Sequence, residues 1–145
     1  MREFKFRGKR VGNGEWVYGD LVRESGEPYI FLDFVNTRLI VSKSFHHLRK
    51  MVVDPKTVGQ YIGRKDKYNK KMYEGDFVDV VMHEDVCNPS TKYLIEYHNT
   101  GFYLKGKDIE GDIGFVEICG GDCCIKSMEI IGNKHENPEL LEDTL

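Results

Sequence analysis

No stretch of this chain approaches the roughly 20 consecutive apolar residues that a membrane-spanning helix needs. The longest apolar runs, such as the one around Asp79-Val80-Val81-Met82, are far shorter, which excludes an α-helical membrane protein. The amino terminus lacks the continuous apolar region of a secretion signal. Arg2, Lys5, Arg7, Lys9 and Arg10 alternate there with Phe4, Phe6 and Val11. A cytoplasmic protein with no membrane partner is expected. Cysteine is scarce, with four in 145 residues, and a reducing cytosol does not favour disulfides in a chain of this size. Cys119, Cys123 and Cys124 lie close together around Gly120-Gly121-Asp122. Structural zinc sites pair two separated knuckles, and no second pair exists here, so buried thiols beside a glycine turn are expected and neither a metal nor a cofactor is. Catalytic signatures are missing as well. The chain has no G-x-S-x-G elbow, no G-x-x-x-x-G-K-[ST] phosphate loop and no H-E-x-x-H helix. Its five histidines are His46, His47, His83, His98 and His135. Nucleophilic catalysis would require one of them to meet Cys87 or Cys124 in space, and no local pattern announces such a pair. The expectation is a protein that is not an enzyme.

What is present is strand-forming sequence. A length of 145 residues suits one domain or two small lobes. Runs rich in Val, Ile, Tyr and Phe recur at residues 3–7, 15–23, 29–35, 38–41, 77–83, 93–97, 102–105, 114–119 and 128–131. Between them, Gly12-Asn13-Gly14, Ser25-Gly26, Asn99-Thr100-Gly101 and Gly120-Gly121-Asp122 supply residues that tolerate positive φ. A mainly β fold of consecutive antiparallel strands follows, with few short helices. A Gly-Asp pair recurs at Gly19-Asp20, Gly75-Asp76, Gly111-Asp112 and Gly121-Asp122, and reads as the start of a strand. Calcium loops need more oxygen ligands at regulated spacing than these segments offer. Helical signals are confined to residues 44–51, which Val52-Val53 pull towards strand, and to Asn137-Pro138-Glu139, where an Asn cap precedes proline and an acid. Residues 142–145 are expected to fray. Val53-Asp54-Pro55 marks the best internal boundary, because proline donates no ladder hydrogen bond and biases its predecessor towards extended backbone. That divides the chain into an amino-terminal part, residues 1–54, and a remainder, residues 55–145, two parts able to share one core in a single compact unit.

Charge is unevenly distributed. Up to Tyr73 there are 16 Lys and Arg against 8 Asp and Glu, a net of +8; from Glu74 onward there are 5 against 16, a net of −11. Opposite faces on two copies would attract each other, whereas side-by-side packing within one copy would cancel the field.

Residues 58–82, VGQYIGRKDKYNKKMYEGDFVDVVM, combine a turn, a basic hairpin-like loop and a Gly-Asp strand start. With Val53-Asp54-Pro55, IIGNKHENPEL at 130–140 and REFKFRGK at 2–9, they resemble the YopX family. That resemblance implies a phage or prophage origin in a bacterial host cell, no assigned activity, and an SH3-like small β-barrel in the carboxy-terminal portion beside an amino-terminal β lobe. Family members commonly carry Asn-Gly in the basic loop. Here Tyr68-Asn69 stand at those positions, so Asn69 itself is expected to adopt the left-handed conformation.

Two binding functions are compatible with these residues. Opposite-signed halves, abundant strand edges and a phage-related family without recognised chemistry point to a homo-oligomer that engages a host or phage macromolecule. Alternatively Arg64, Lys65, Lys67, Tyr68, Lys70 and Lys71, with Tyr61 and Tyr73 nearby, combine phosphate-pairing cations with stacking rings, the mixture that holds single-stranded nucleic acid. The same charges could instead keep a solvated hairpin loop soluble.

Overall fold

The computed structural model describes residues 3–32, 50–83, 91–107, 111–118 and 125–145. They form two antiparallel sheets and divide into two compact units, Met1–Tyr61 and Ile62–Leu145. The chain reverses where its sequence accepts a left-handed backbone. Ser25 and Gly26, with φ of 52° and 87°, supply the two positive values that suit a two-residue hairpin turn. They join β2 (Trp16–Glu24) to β3 (Glu27–Leu32), with Glu24 opposite Glu27. Gly14, at φ 70°, helps close the turn between β1 (Phe6–Lys9) and β2, where the Arg10 and Gly14 amides donate to the Glu15 and Arg10 carbonyls.

In the first unit the strands lie in the order β4-β3-β2-β1-β5, β4 being Lys50–Val52 and β5 Gly59–Lys65. Residues 50 and 51, expected at the end of a helical segment, are therefore strand; β-branched Val52 and Val53 carry the extended backbone onward, while residues 44–49 and the strand expected at 38–41 lie outside the described residues. Ile30 and Val53 are buried almost completely. Asp54 and Pro55 open a 3₁₀ turn (Pro55–Thr57) in which the Asp54 carboxylate accepts the Lys56 amide and the Thr57 hydroxyl accepts the Lys9 amide at 2.8 Å. β5 then pairs with β1, Gln60 opposite Phe6 and Gly59 opposite Arg7. This pairing holds residues 55–61 in the first unit, which therefore extends past the boundary expected after Asp54.

Gly19-Asp20 lies in the middle of β2 and is not a strand start. A Cβ at Gly19 would sit 1.8 Å from the Phe31 carbonyl oxygen, so glycine is needed there for close approach of β3. Gly75 and Gly111 do precede strands, each with φ 86°.

In the second unit β6 (Lys71–Tyr73) returns from β5. Next come β7 (Asp76–Met82), β8 (Lys92–His98), β9 (Gly101–Lys107), β10 (Ile113–Glu117) and β11 (Ile125–Asn133), ordered β10-β9-β8-β7-β11. Their core contains Val78, Val80, Tyr93, Ile95, Leu104 and Met128, together with Ile62 and Met72 from β5 and β6. A closed SH3-like barrel is not what these ladders form: among the described residues, β10 and β11 end the second sheet on opposite sides and do not pair with each other. The helix α1 (Glu139–Thr144) is the α-helix of the described residues. Its end is tied down instead of frayed. Thr144 is buried, the Leu145 amide donates to the Leu141 carbonyl, and Asp143 pairs with Lys92 at 3.4 Å.

Gly19→Ala should lower stability by about 3 kcal/mol or more, because β2 and β3 must separate around the new methyl group. Gly12→Ala, whose Cβ would meet nothing within 4 Å, should be nearly neutral. Urea unfolding of the two variants against wild type checks the contrast.

Candidate functional site: the basic hairpin at residues 64–71

Five cations lie within eight residues of this hairpin, and the loop that carries them is organised by an acid. Asp66, between β5 and β6, is buried, and its Oδ1 accepts the Tyr68 and Lys70 amides at 2.9 Å each. Its Oδ2 faces the Ile130 amide at 3.4 Å. The backbone follows this pattern, with the Asp66 amide on the Lys70 carbonyl at 2.8 Å and the Asn69 amide on the Asp66 carbonyl at 3.0 Å. Asn69 takes the left-handed conformation, at φ 67°, that its place in the turn requires. The Lys67 amide donates to the Met128 carbonyl at 2.9 Å. Since β7 occupies the other side of β11, the hairpin turn covers part of the free edge of β11 and so limits pairing there.

The structure brings the expected site residues together on this hairpin but does not leave them equivalent. Lys65, Lys67, Tyr68 and Lys70 are exposed, whereas Arg64 and Lys71 are partly buried. Lys67 forms an ion pair with Glu129 of β11, and its Nζ lies 5.1 Å from the centre of the Tyr68 ring. The hydrogen bond and charge of Glu129 hold the Lys67 ammonium above the ordinary lysine pKa. Tyr68 projects from the turn with 62% of its surface exposed. Tyr61 and Tyr73, expected to flank the loop as stacking faces, are buried. Nothing in the local sequence distinguished Asp66 as the organiser, because its contact with Ile130 spans 64 residues.

Sequence reasoning also missed a cluster of rings on β8, β9 and β10. His98 stacks on Phe115 at 4.2 Å and 15°, and Tyr103 presents its edge to both, at 6.0 and 6.3 Å. Lys105 lies 5.8 Å from the Phe115 ring and pairs with Glu96 at 3.0 Å. Cross-strand register makes this cluster, His98 and Tyr103 coming from adjacent strands of one hairpin and Phe115 from the next strand. Among the described residues, no group of three or more His, Cys, Asp and Glu is placed to hold a metal ion. The four cysteines, with His46 and His47, lie outside those residues. No helix among the described residues is long and apolar enough to cross a membrane.

The sequence pattern of the YopX protein family matches residues 5–142, nearly the whole chain. The chain belongs to the YopX family. Residues 58–82, which carry the YopX resemblance, span β5, the Asp66 turn, β6 and β7. Among solved structures, the YopX-family chain is similar to protein EF1440 from Enterococcus faecalis, known from its crystal structure. The identity is 20%, the TM-score 0.55, and the match covers 97% of this chain and 99% of that one. At this identity the likeness concerns the fold alone. No curated protein matches the chain.

Asp66→Ala should destabilise this YopX-family protein by about 1–3 kcal/mol, the cost of leaving part-buried amides without their acceptor. Thermal and urea unfolding would read it. A second expectation concerns pH. Because the folded pKa of Lys67 is raised, its contribution is complete below the unfolded pKa and is lost as pH rises through the folded one. The difference in melting temperature between wild type and Lys67→Met should therefore hold at neutral pH and shrink in the alkaline range.

Proposed function

We propose that this YopX-family chain is a non-enzymatic binding and assembly protein of phage or prophage origin. In this reading it works in the bacterial cytoplasm, self-associates and engages a host or phage macromolecule. The observation that carries it is the outer edge of the second sheet. β10 ends the strand order, and among the described residues it has a strand neighbour on one side. Ile113 and Phe115 alternate on one face of β10, 52% and 40% exposed. Natural edge strands are usually blunted by lysine, proline or a bulge. The sequence of β10, IGFVE, contains none of the two blunting residues, and its pairing with β9 runs from Ile113 to Glu117 without a register shift. Such an edge supports pairing with a strand of another chain, the rings of Phe115 and His98 adding apolar surface beside it.

Light scattering during gel filtration, at low and high salt, should give a mass above that of one chain. Ile113→Lys with Phe115→Lys should shift it towards the monomer while the circular dichroism spectrum is kept. A strictly monomeric wild type at high concentration would defeat the self-association half of this reading.

A second reading assigns nucleic-acid binding to the hairpin at residues 64–71. The exposed Tyr68 ring, with Lys67 beside it and Lys65 and Lys70 exposed on the same turn, favours it. The ion pair between Lys67 and Glu129 weighs against it, because one cation is already partly neutralised.

A further inference from the structure

Ile113, Phe115 and Glu117 alternate on one face of β10, and across the ladder they stand opposite Lys107, Lys105 and Tyr103 of β9. Lys105 is already paired with Glu96. Lys107 and Glu117 take part in none of the ion pairs of the described residues. One cation and one anion therefore stand at opposite ends of the β9–β10 ladder, on the same face, with Phe115 midway between them.

Two copies of β10 that meet edge to edge and antiparallel are related by a two-fold axis normal to the sheet, so one residue of the strand faces its own copy. Centring the ladder on Phe115 matches all five residues: Ile113 meets Glu117 of the second copy, Gly114 meets Val116, and Phe115 meets Phe115. A centre at Gly114 or Val116 shortens the match to three residues of the strand, and a centre at Glu117 sets two carboxylates against each other. In the Phe115 register, Glu117 of the second copy flanks Ile113, and Lys107 lies on the other side of Ile113. The two charged residues are then two strand spacings apart, about 9.5 Å, a gap that the long lysine and glutamate side chains span above Ile113. Symmetry makes this contact twice. It also brings the cluster of Phe115, His98 and Tyr103 against its own copy, so that the rings form one continuous row across the axis.

We propose that β10 pairs with β10 of a second copy in this register, joining two five-stranded sheets into one sheet of ten strands about a two-fold axis. This pairing rests on the self-association read above from the same edge, and adds to it the surface each copy presents and the charges that select it. A strand of unrelated sequence would gain the same backbone hydrogen bonds but has no reason to return an acid to Lys107 and a base to Glu117, whereas a second copy does both. A ladder of five residues is short, so the dimer belongs to the weak class and forms at high protein concentration.

Light scattering of concentrated wild type should give the mass of two chains. Lys107→Glu and Glu117→Lys, each alone, set like charges together at both contacts and should weaken the dimer about tenfold, with circular dichroism unchanged. The second unit is net negative, so a general field effect would move the two variants in opposite directions, Glu117→Lys strengthening association and Lys107→Glu weakening it. Loss of the paired contact weakens both. Mixed in equal amounts, the two variants regain opposite charges at both contacts and should return to the mass of two chains, as should the double variant Lys107→Glu with Glu117→Lys. A wild type that stays monomeric overturns this pairing together with self-association. A dimeric wild type whose single variants stay equally dimeric, or whose weakened variants fail to recover on mixing, overturns the β10 register alone and leaves self-association standing.

Discussion

The buried carboxylate of Asp66 is the constraint on which the middle of this fold depends. By accepting two amides of its own turn and facing a third on β11, it converts a run of cations into a defined hairpin. The same contacts fasten that hairpin to a strand more than 60 residues away. A carboxylate that is buried and well supplied with donors is stabilised by them, and removing it would leave those donors unmet. Charge in the hairpin is consequently displayed at fixed positions, with Lys67 turned to Glu129 and Tyr68 outward.

Around that hairpin the two units use their sheets differently. The second unit concentrates its apolar side chains between strands β5 to β9 and β11 and leaves β10 at the margin. In the first unit, glycines at positions 8 and 19 allow Val53 and the Phe31 carbonyl to approach closely. The opposite face is left with rings and cations. A strand edge offers backbone hydrogen bonds, whereas a sheet face offers only side chains.

The polarity read from the linear sequence changes when it is partitioned by structure. A cut at Tyr73 gives +8 and −11, but the units divide at Tyr61, and the five cations of the hairpin fall in the second. The units then carry +4 and −7. Opposite signs persist with about half the contrast on the positive side, because β5 starts in one unit and delivers its basic end to the other.

Much of the fold was legible in the residues. Alternating Val, Ile, Tyr and Phe marked most of the strands, and Ser25-Gly26, Gly14 and Asn69 announced reversals that their positive φ values make. These are local properties, decided by side-chain shape and by which residues tolerate a left-handed backbone. Pairing is not local. That Gly19 serves a close approach in mid-strand, that β5 joins β1, that the ladders stay open, and that Thr144 is buried at the end of α1 all depend on partners distant in sequence. The same holds for the candidate sites. The sequence by itself determined the mainly β class, the family and the basic hairpin. The tertiary structure alone decided that Asp66 organises that hairpin, that His98 meets Phe115, and that Trp16 and Tyr18 share a face with Lys9, because register between strands, not order along the chain, sets which side chains become neighbours.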